Sequence, residues 1–167
     1  MKRTTEVRPF VLQEWEIYKA LRLRALDDAP DAFGSTLARE EAFSDNIWQN
    51  RLAGDEASWN LPLLAKVDGE PVGLAWGRIE ISDPSTANLY QVWVAPGHRG
   101  FGLGKLLLDT IITWAKKKNA RYLYLGVTVQ DSPAMRLYSR AGFETIGETQ
   151  PLRPDSKLVE QSMRLKL

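Results

Sequence analysis

A strand that runs into a glycine-rich loop and straight on into an amphipathic helix constrains this chain more than any other segment. Residues 91–108 read Gln-Val-Trp-Val-Ala-Pro-Gly-His-Arg-Gly-Phe-Gly-Leu-Gly-Lys-Leu-Leu-Leu, with glycines at 100, 102 and 104 behind Arg99. Backbone with so little side chain lets N–H groups close on a phosphate, and the helix N-terminus behind the loop adds partial positive charge. The segment reads as an anion cradle for a phosphate-bearing cofactor, set against the plainer reading of a flexible turn.

Spacing narrows the choice of cradle. The dinucleotide fingerprint needs a glycine where Lys105 stands, and the NTPase phosphate loop needs Ser or Thr where Leu106 stands. What is left is Arg99-x-x-Gly102-x-Gly104. With this pattern the chain resembles the GNAT acetyltransferase superfamily, whose Gln/Arg-x-x-Gly-x-Gly/Ala loop binds the pyrophosphate of acetyl-CoA. Residues 131–143, Asp-Ser-Pro-Ala-Met-Arg-Leu-Tyr-Ser-Arg-Ala-Gly-Phe, resemble the second signature of that family, Asn-x-x-Ala-x-x-Leu-Tyr-x-Lys-x-Gly-Phe. Asp131 replaces the usual Asn and Arg140 the usual Lys.

Composition bounds the alternatives. A chain of 167 residues suits one domain over 1–167, and 44% apolar residues with six tryptophans supply a core. A net charge of +1 offers no field for a nucleic-acid backbone or an anionic membrane. The lysines at 116–118 fall in the last turn of an expected helix, where they complement its dipole. With no cysteine there is neither a disulfide nor a thiolate site, and a lone His98 makes a histidine-based metal site unexpected. Met1-Lys-Arg-Thr-Thr-Glu is not followed by an apolar targeting run, so the expectation is a cytoplasmic protein without membrane spans.

Periodicity lays out the elements. Residues 4–8 alternate like a strand, and Val11, Trp15, Tyr18, Leu21 and Ala25 form a helical stripe. Residues 27–36 read as a loop and 43–52 as a second helix. Strands at 61–67 and 72–81 flank an Asp68-Gly69 hairpin turn, and a further strand runs over 87–94. The helix from Gly102 presents Gly104, Leu107, Leu108, Ile111 and Ala115 on one face and ends near Asn119. A strand at 122–127, a helix at 132–141 ending at Gly142, and strands at 143–147 and 158–166 complete the order βααβββαβαββ. The expected fold is α/β (α+β), as the resemblance also implies: a mixed, mostly antiparallel sheet of seven strands with four helices on both faces. Its exposed final strands make a homodimer reasonable.

Amide formation from a thioester needs a held donor, a polarised carbonyl, a deprotonated amine and an acid for the departing thiolate. The resemblance implies cofactor contacts at His98, Arg99, Gly100, Phe101, Gly102, Leu103, Gly104 and Lys105, and pantetheine pairing along Val92, Trp93 and Val94. It also implies contacts at Asp131, Ala134, Tyr138 and Arg140, with Arg140 near the adenosine phosphate. His98 reads equally as an exposed loop residue. Tyr138 occupies the position of the family's general acid, a neutral phenol at pH 7; by periodicity alone it would be a core residue. Asp131, an acceptor-only side chain when ionised, reads better as the cap of the helix that follows. Histone-type relatives carry a glutamate as general base where this chain has Asn88. Glu80 is a weak candidate base acting through water, and a solvent water chain would dispense with one. The acceptor pocket is expected among 30–36, including Phe33, with Trp76, Asn88 and Tyr90, and 149–154. There Arg153 is either a substrate-carboxylate clamp or a solvated turn residue. The implied activity is acetyl-CoA-dependent N-acetyl transfer to a primary amine of a small molecule, amino acid or peptide. The alternatives are a protein or N-terminal acetyltransferase, a longer-chain acyltransferase and a non-catalytic CoA-binding module.

Overall fold

The computed structural model describes residues 3–167; Met1 and Lys2 lie outside the described residues. In chain order the elements are β1 (Thr5–Pro9), α1 (Trp15–Asp28), α2 (Leu37–Glu41), α3 (Asp45–Ala53), β2 (Ser58–Val67), β3 (Glu70–Glu80), β4 (Thr86–Val94), α4 (Leu103–Lys117), β5 (Tyr122–Thr128), α5 (Pro133–Ala141), β6 (Glu144–Pro151) and β7 (Val159–Lys166). The seven strands form one sheet in the order β1-β2-β3-β4-β5-β7-β6. Every pairing is antiparallel except the parallel contact between β4 and β5.

The expected fold class holds, with local corrections. Five α-helices replace the expected four, because α2 forms just after the stretch read as a loop. Thr36 caps it, its Oγ1 accepting from the Arg39 N–H at 3.2 Å. Helix α1 starts at Trp15 instead of Val11, which is half exposed, and its buried stripe is Tyr18, Leu21, Ala25 and Leu26. Asp68 and Gly69 both take positive φ, 51° and 80°, as a two-residue hairpin of the primed type requires. Asn119, at φ 64°, follows the last turn of α4 as expected.

Strand alternation assigns the helices to faces. Adjacent residues of a strand point to opposite sides. The Trp76 ring lies 5.4 Å from Tyr18 of α1, whereas the space beside Gly77 is filled by Ile111 and Trp114 of α4. Helices α1 and α4 therefore cover opposite faces, and α3 joins α1 through the edge contact of Trp48 on Tyr18. Gly104 abuts Leu137 and Gly142 abuts Leu165, so α5 lies beside α4. On the face that carries α1, residues 30–32 reach only the Thr128 end of β5, and Tyr122, Tyr124 and Gly126 stay partly or fully exposed.

A buried charge cluster ties α1, α2 and α3 together. The Glu40 carboxylate is 1% exposed and accepts from Arg22 Nε at 3.1 Å, Arg22 Nη2 at 2.9 Å and Arg51 Nη1 at 2.8 Å. Among the described residues no helix is long and apolar enough to cross a membrane.

Candidate active site

The site originates in one extra residue of β4. Trp76 pairs with Tyr90 and Leu74 with Trp93, so two residues, Gln91 and Val92, oppose the single Ala75. This is a β-bulge, and it reverses the alternation of the strand. Leu89 faces α4, but Trp93 faces α1, where its Nε1 donates to Asp28 at 2.9 Å. Gln91 itself sits at φ 59°, and its Oε1 accepts from Tyr18 Oη at 2.7 Å. A non-glycine residue in that region costs on the order of 1–2 kcal/mol. The buried aromatic cluster around Tyr18 holds it there.

Below the bulge β4 pairs with β5 at Thr86–Tyr122, Ala87–Leu123 and Asn88–Tyr124; above it the strands part. Meanwhile β5 stays paired with β7 as far as Thr128 and Glu160. The parted strands leave a cleft of about 1180 Å³ that passes through the sheet. Its α4 side is walled by Leu103, Gly104, Lys105, Tyr138 and Ala141, and its α1 side by Arg22, Phe33, Gly34, Tyr90 and Glu160.

At one end of this cleft lies the glycine loop that leads into α4. Gly100 and Gly102 both adopt φ 83°, a conformation that favours glycine, and Gly102 is the N-cap of α4. The N–H groups of Leu103, Gly104 and Lys105 lie in the first turn, where no carbonyl of the helix can reach them. They line the cleft together with the helix's positive dipole end. Arg136, Arg140 and Lys105 stand at the rim, and Lys105 pairs with Asp109 one turn on at 2.6 Å. His98 also borders the cleft, with its Nδ1 buried and unpartnered among the described residues. Uncompensated donors, surrounding cations and an elongated cleft fit a diphosphate carrying a long arm. No cluster of three or more metal-ligating side chains occurs among the described residues.

Tyr138 reaches the cleft from α5 and is 6% exposed, with its ring edge-on to Phe143 at 5.6 Å. Burial pushes its phenol far above the ordinary value, so it stays protonated throughout the physiological range. The helix that presents it is capped by Ser132, whose Oγ accepts from the Met135 N–H at 3.2 Å, with Pro133 in the first turn. It ends at Gly142, φ 97°, where Phe143 N–H returns to the Tyr138 carbonyl.

The structure brings most of the expected residues together and separates several. Val92, Trp93, Val94, His98, Arg99, Gly100, Gly102, Leu103, Gly104, Lys105, Ala134, Tyr138, Arg140, Phe33 and Tyr90 border the cleft. Phe101 does not: its exposed ring carries the Arg3 guanidinium at 4.1 Å. Asp131 neither caps α5 nor borders the cleft, since its carboxylate is 90% exposed and binds Arg136 at 2.5 Å. The shorter Ser132, one residue nearer, takes the cap instead. Trp76 is buried against Tyr18, with Nε1 donating to Asn60 at 3.0 Å. Glu80 lies at the far end of β3 from the cradle and pairs with Arg78 at 2.7 Å. Asn88 borders a smaller groove of about 330 Å³ on the face that carries α1, which meets the cleft at Tyr90, Leu125 and Gly126.

Two arginines turn out to be struts. Arg153 Nη1 donates to the Phe33 carbonyl at 2.7 Å and the Pro30 carbonyl at 3.1 Å, joining the β6–β7 connection to the segment after α1. Thr128 Oγ1 adds a 2.6 Å bond to the Asp31 carbonyl, so residues 30–33 roof the α1-side mouth. Arg99 is likewise engaged, with Nε on the Val94 carbonyl and Nη2 on Asp28, both at 2.8 Å. The Trp93 N–H, and then Arg99, hold the Asp28 carboxyl below its usual range.

Sequence reading missed Gln91, Arg22, Gly126 and Glu160. The bulge did leave a trace: small aliphatic residues occupy odd positions of β4 before it, Ala87 and Leu89, and even ones after it, Val92 and Val94, with the apolar Trp93 between them. Nothing local marks Glu160, because only the β5–β7 pairing brings it to the cleft.

Comparison with known proteins agrees with this architecture. Residues 20–143 match the Acetyltransferase (GNAT) family. The chain is 33% identical to streptothricin acetyltransferase from Streptomyces lavendulae, over 56% of this chain and 49% of that protein. It is 36% identical to mycothiol acetyltransferase from Actinosynnema mirum, over 75% of this chain and 45% of that protein. It thus spans about half the length of these curated relatives. Among solved structures, PaiA N-acetyltransferase from Thermoplasma acidophilum in complex with coenzyme A has the same fold, with TM-score 0.74 at 18% identity over 98% of this chain and 99% of that one. The glycine cradle, the split between β4 and β5 and the match over residues 20–143 place this chain in the GNAT acetyltransferase family.

Proposed function

We propose that the chain is an acetyl-CoA-dependent N-acetyltransferase acting on a primary amine of a small molecule, amino acid or peptide. One observation carries the reading: a cleft through the sheet with an unpaired helix N-terminus at one end and a buried, protonated tyrosine in its wall. Its relatives in the family and the coenzyme A bound by a protein of the same fold support it.

When bound, acetyl-CoA supplies an acetyl group activated as a thioester. The N–H groups of Leu103, Gly104 and Lys105 would bind its diphosphate, with Arg136 and Arg140 adding charge. The backbone of Val92–Val94, freed from β5 by the bulge, offers strand-like pairing to an extended arm. Tyr138 Oη borders the cleft and is protonated at neutral pH, so it can give a proton to the thiolate leaving group. The roof formed by residues 30–33 narrows the α1-side mouth, by which an amine would enter.

The test is thiol release from acetyl-CoA by the purified protein against polyamines, amino acids, aminosugars and short peptides. At least one class is expected to drive turnover well above hydrolysis. Tyr138→Phe should lower that turnover about 100-fold or more while leaving coenzyme A affinity within about twofold. Tight coenzyme A binding with no amine-dependent turnover would overturn the reading in favour of a non-catalytic binding module.

A further inference from the structure

Glu160 is a carboxylate placed in the cleft without a partner. It extends from β7 across β5 and covers Gly126; a methyl group at position 126 would fall inside its carboxylate. Its nearest strand neighbours are uncharged, Thr128 across on β5 and Gln150 across on β6. Other carboxylates bordering or backing the site are engaged: Asp28 by Trp93 and Arg99, Glu40 by Arg22 and Arg51, Asp109 by Lys105. Glu160 is partly buried, and neither an ion pair nor a side-chain hydrogen bond engages it among the described residues. Arg22, the basic residue on the α1 side of the same wall, already spends its charge on Glu40. A partly buried anion with no cation of its own is a receptor for one brought by a ligand.

Its location says which ligand. Glu160 and Tyr138 reach the cleft from opposite faces of the sheet, since Glu160 lies on the side of Gly126 and Thr128 and Tyr138 belongs to α5 beside α4. An acid for the leaving thiolate and a site for the incoming amine must lie on opposite sides of the reacting carbonyl. We propose that Glu160 receives the ammonium group of the acceptor and takes its first proton. The adjoining groove of Tyr90, Asn88, Tyr124 and Ile146, which shares Gly126, holds the rest of the acceptor. This assignment rests on the acetyltransferase reading.

The ammonium gives one proton to the Glu160 carboxylate, and the resulting amine forms a C–N bond to the acyl carbon as the C–S bond breaks. The departing thiolate takes the Tyr138 proton. Glu160 releases its first proton to solvent and takes the second from the nitrogen, which becomes the amide, and solvent returns a proton to Tyr138. Glu160 then passes this second proton to solvent.

The test compares Glu160→Gln with the wild type, using the amine turned over fastest in the panel above. kcat/KM for the amine should fall about 100-fold or more at neutral pH, with coenzyme A affinity and thermal midpoint nearly unchanged. Raising the pH to about 9.5, towards the pKa of an alkylammonium near 10.4, should shrink that deficit because free amine is then supplied by solution. Gly126→Ala, which displaces the carboxylate without removing it, should reproduce the defect in part. A Glu160→Gln enzyme that keeps kcat/KM within about threefold, or whose deficit is unchanged at high pH, overturns the assignment while leaving the acetyltransferase reading intact. Absence of turnover by the wild type with every amine overturns both.

Discussion

Replacing Glu40 by glutamine removes the one negative charge from a cluster that holds two arginines. The carboxylate is 1% exposed and the Arg22 side chain 6%, so neither charge is screened by water. Three hydrogen bonds, at 2.8, 2.9 and 3.1 Å, end on its two oxygens, and the amide of glutamine can accept only part of them. Arg22 would be left charged and buried, with its Nη1 already lacking a partner among the described residues. Breaking a buried pair from one side costs about 3–5 kcal/mol, a large part of the roughly 5–15 kcal/mol that stabilises a domain. At about 2–4 °C per kcal/mol for a chain of this size, the thermal midpoint should drop by about 6–20 °C. Urea denaturation followed by circular dichroism gives the same quantity at constant m-value. The double variant Arg22→Met with Glu40→Leu should recover much of the loss, because both buried charges go together. Burial pushes the Glu40 carboxyl up, but the Arg22 contacts outweigh it and hold it below the usual range. The cluster's contribution is therefore present above the unfolded carboxyl value and lost as pH falls through the folded one. A loss under about 1 kcal/mol for Glu40→Gln, with the m-value unchanged, would refute the reasoning.

Two further outcomes follow from the same packing. At Gly77 an added methyl would stand 2.9 Å from both Ile111 Cδ1 and Trp114 Cζ3, so Gly77→Ala should cost about 1–3 kcal/mol through displacement of α4, read by urea denaturation; a neutral result would mean that the helix shifts freely. Glu14, held at about 2 by paired 2.8 Å bonds from Arg8, should add on the order of 1–2 kcal/mol above its ordinary 4.5, discounted for the part-exposed arginine, and lose it as pH falls towards 2. Glu14→Gln should flatten that part of the stability curve, and a difference from wild type that stays constant over the same range would sink the idea.

What could be read in advance was local. Turn chemistry at Asp68-Gly69, the helical stripe of α4 and the stop at Gly142 each depend on a few consecutive residues, and all three recur in the structure. The misread cap shows the limit of such rules: Asp131 and Ser132 are both good caps, and the backbone geometry chose the second. Arg153 and Trp76 lie outside the cleft for another reason. Each has a chemistry suited to a pocket, but a carbonyl pair in one case and an aromatic cluster in the other had prior claim on it.

By itself the sequence determined the glycine loop between β4 and α4, the order of the elements apart from α2, and the tyrosine carried by α5. These follow from backbone freedom at glycines and from periodicities of two and 3.6 residues, which are properties of short segments. Tertiary structure alone decided the cleft and its contents. The bulge at Gln91 parts β4 from β5, and the pairing of β5 with β7 carries Glu160, more than thirty positions further along, over Gly126. Strand register joins residues that no local pattern relates.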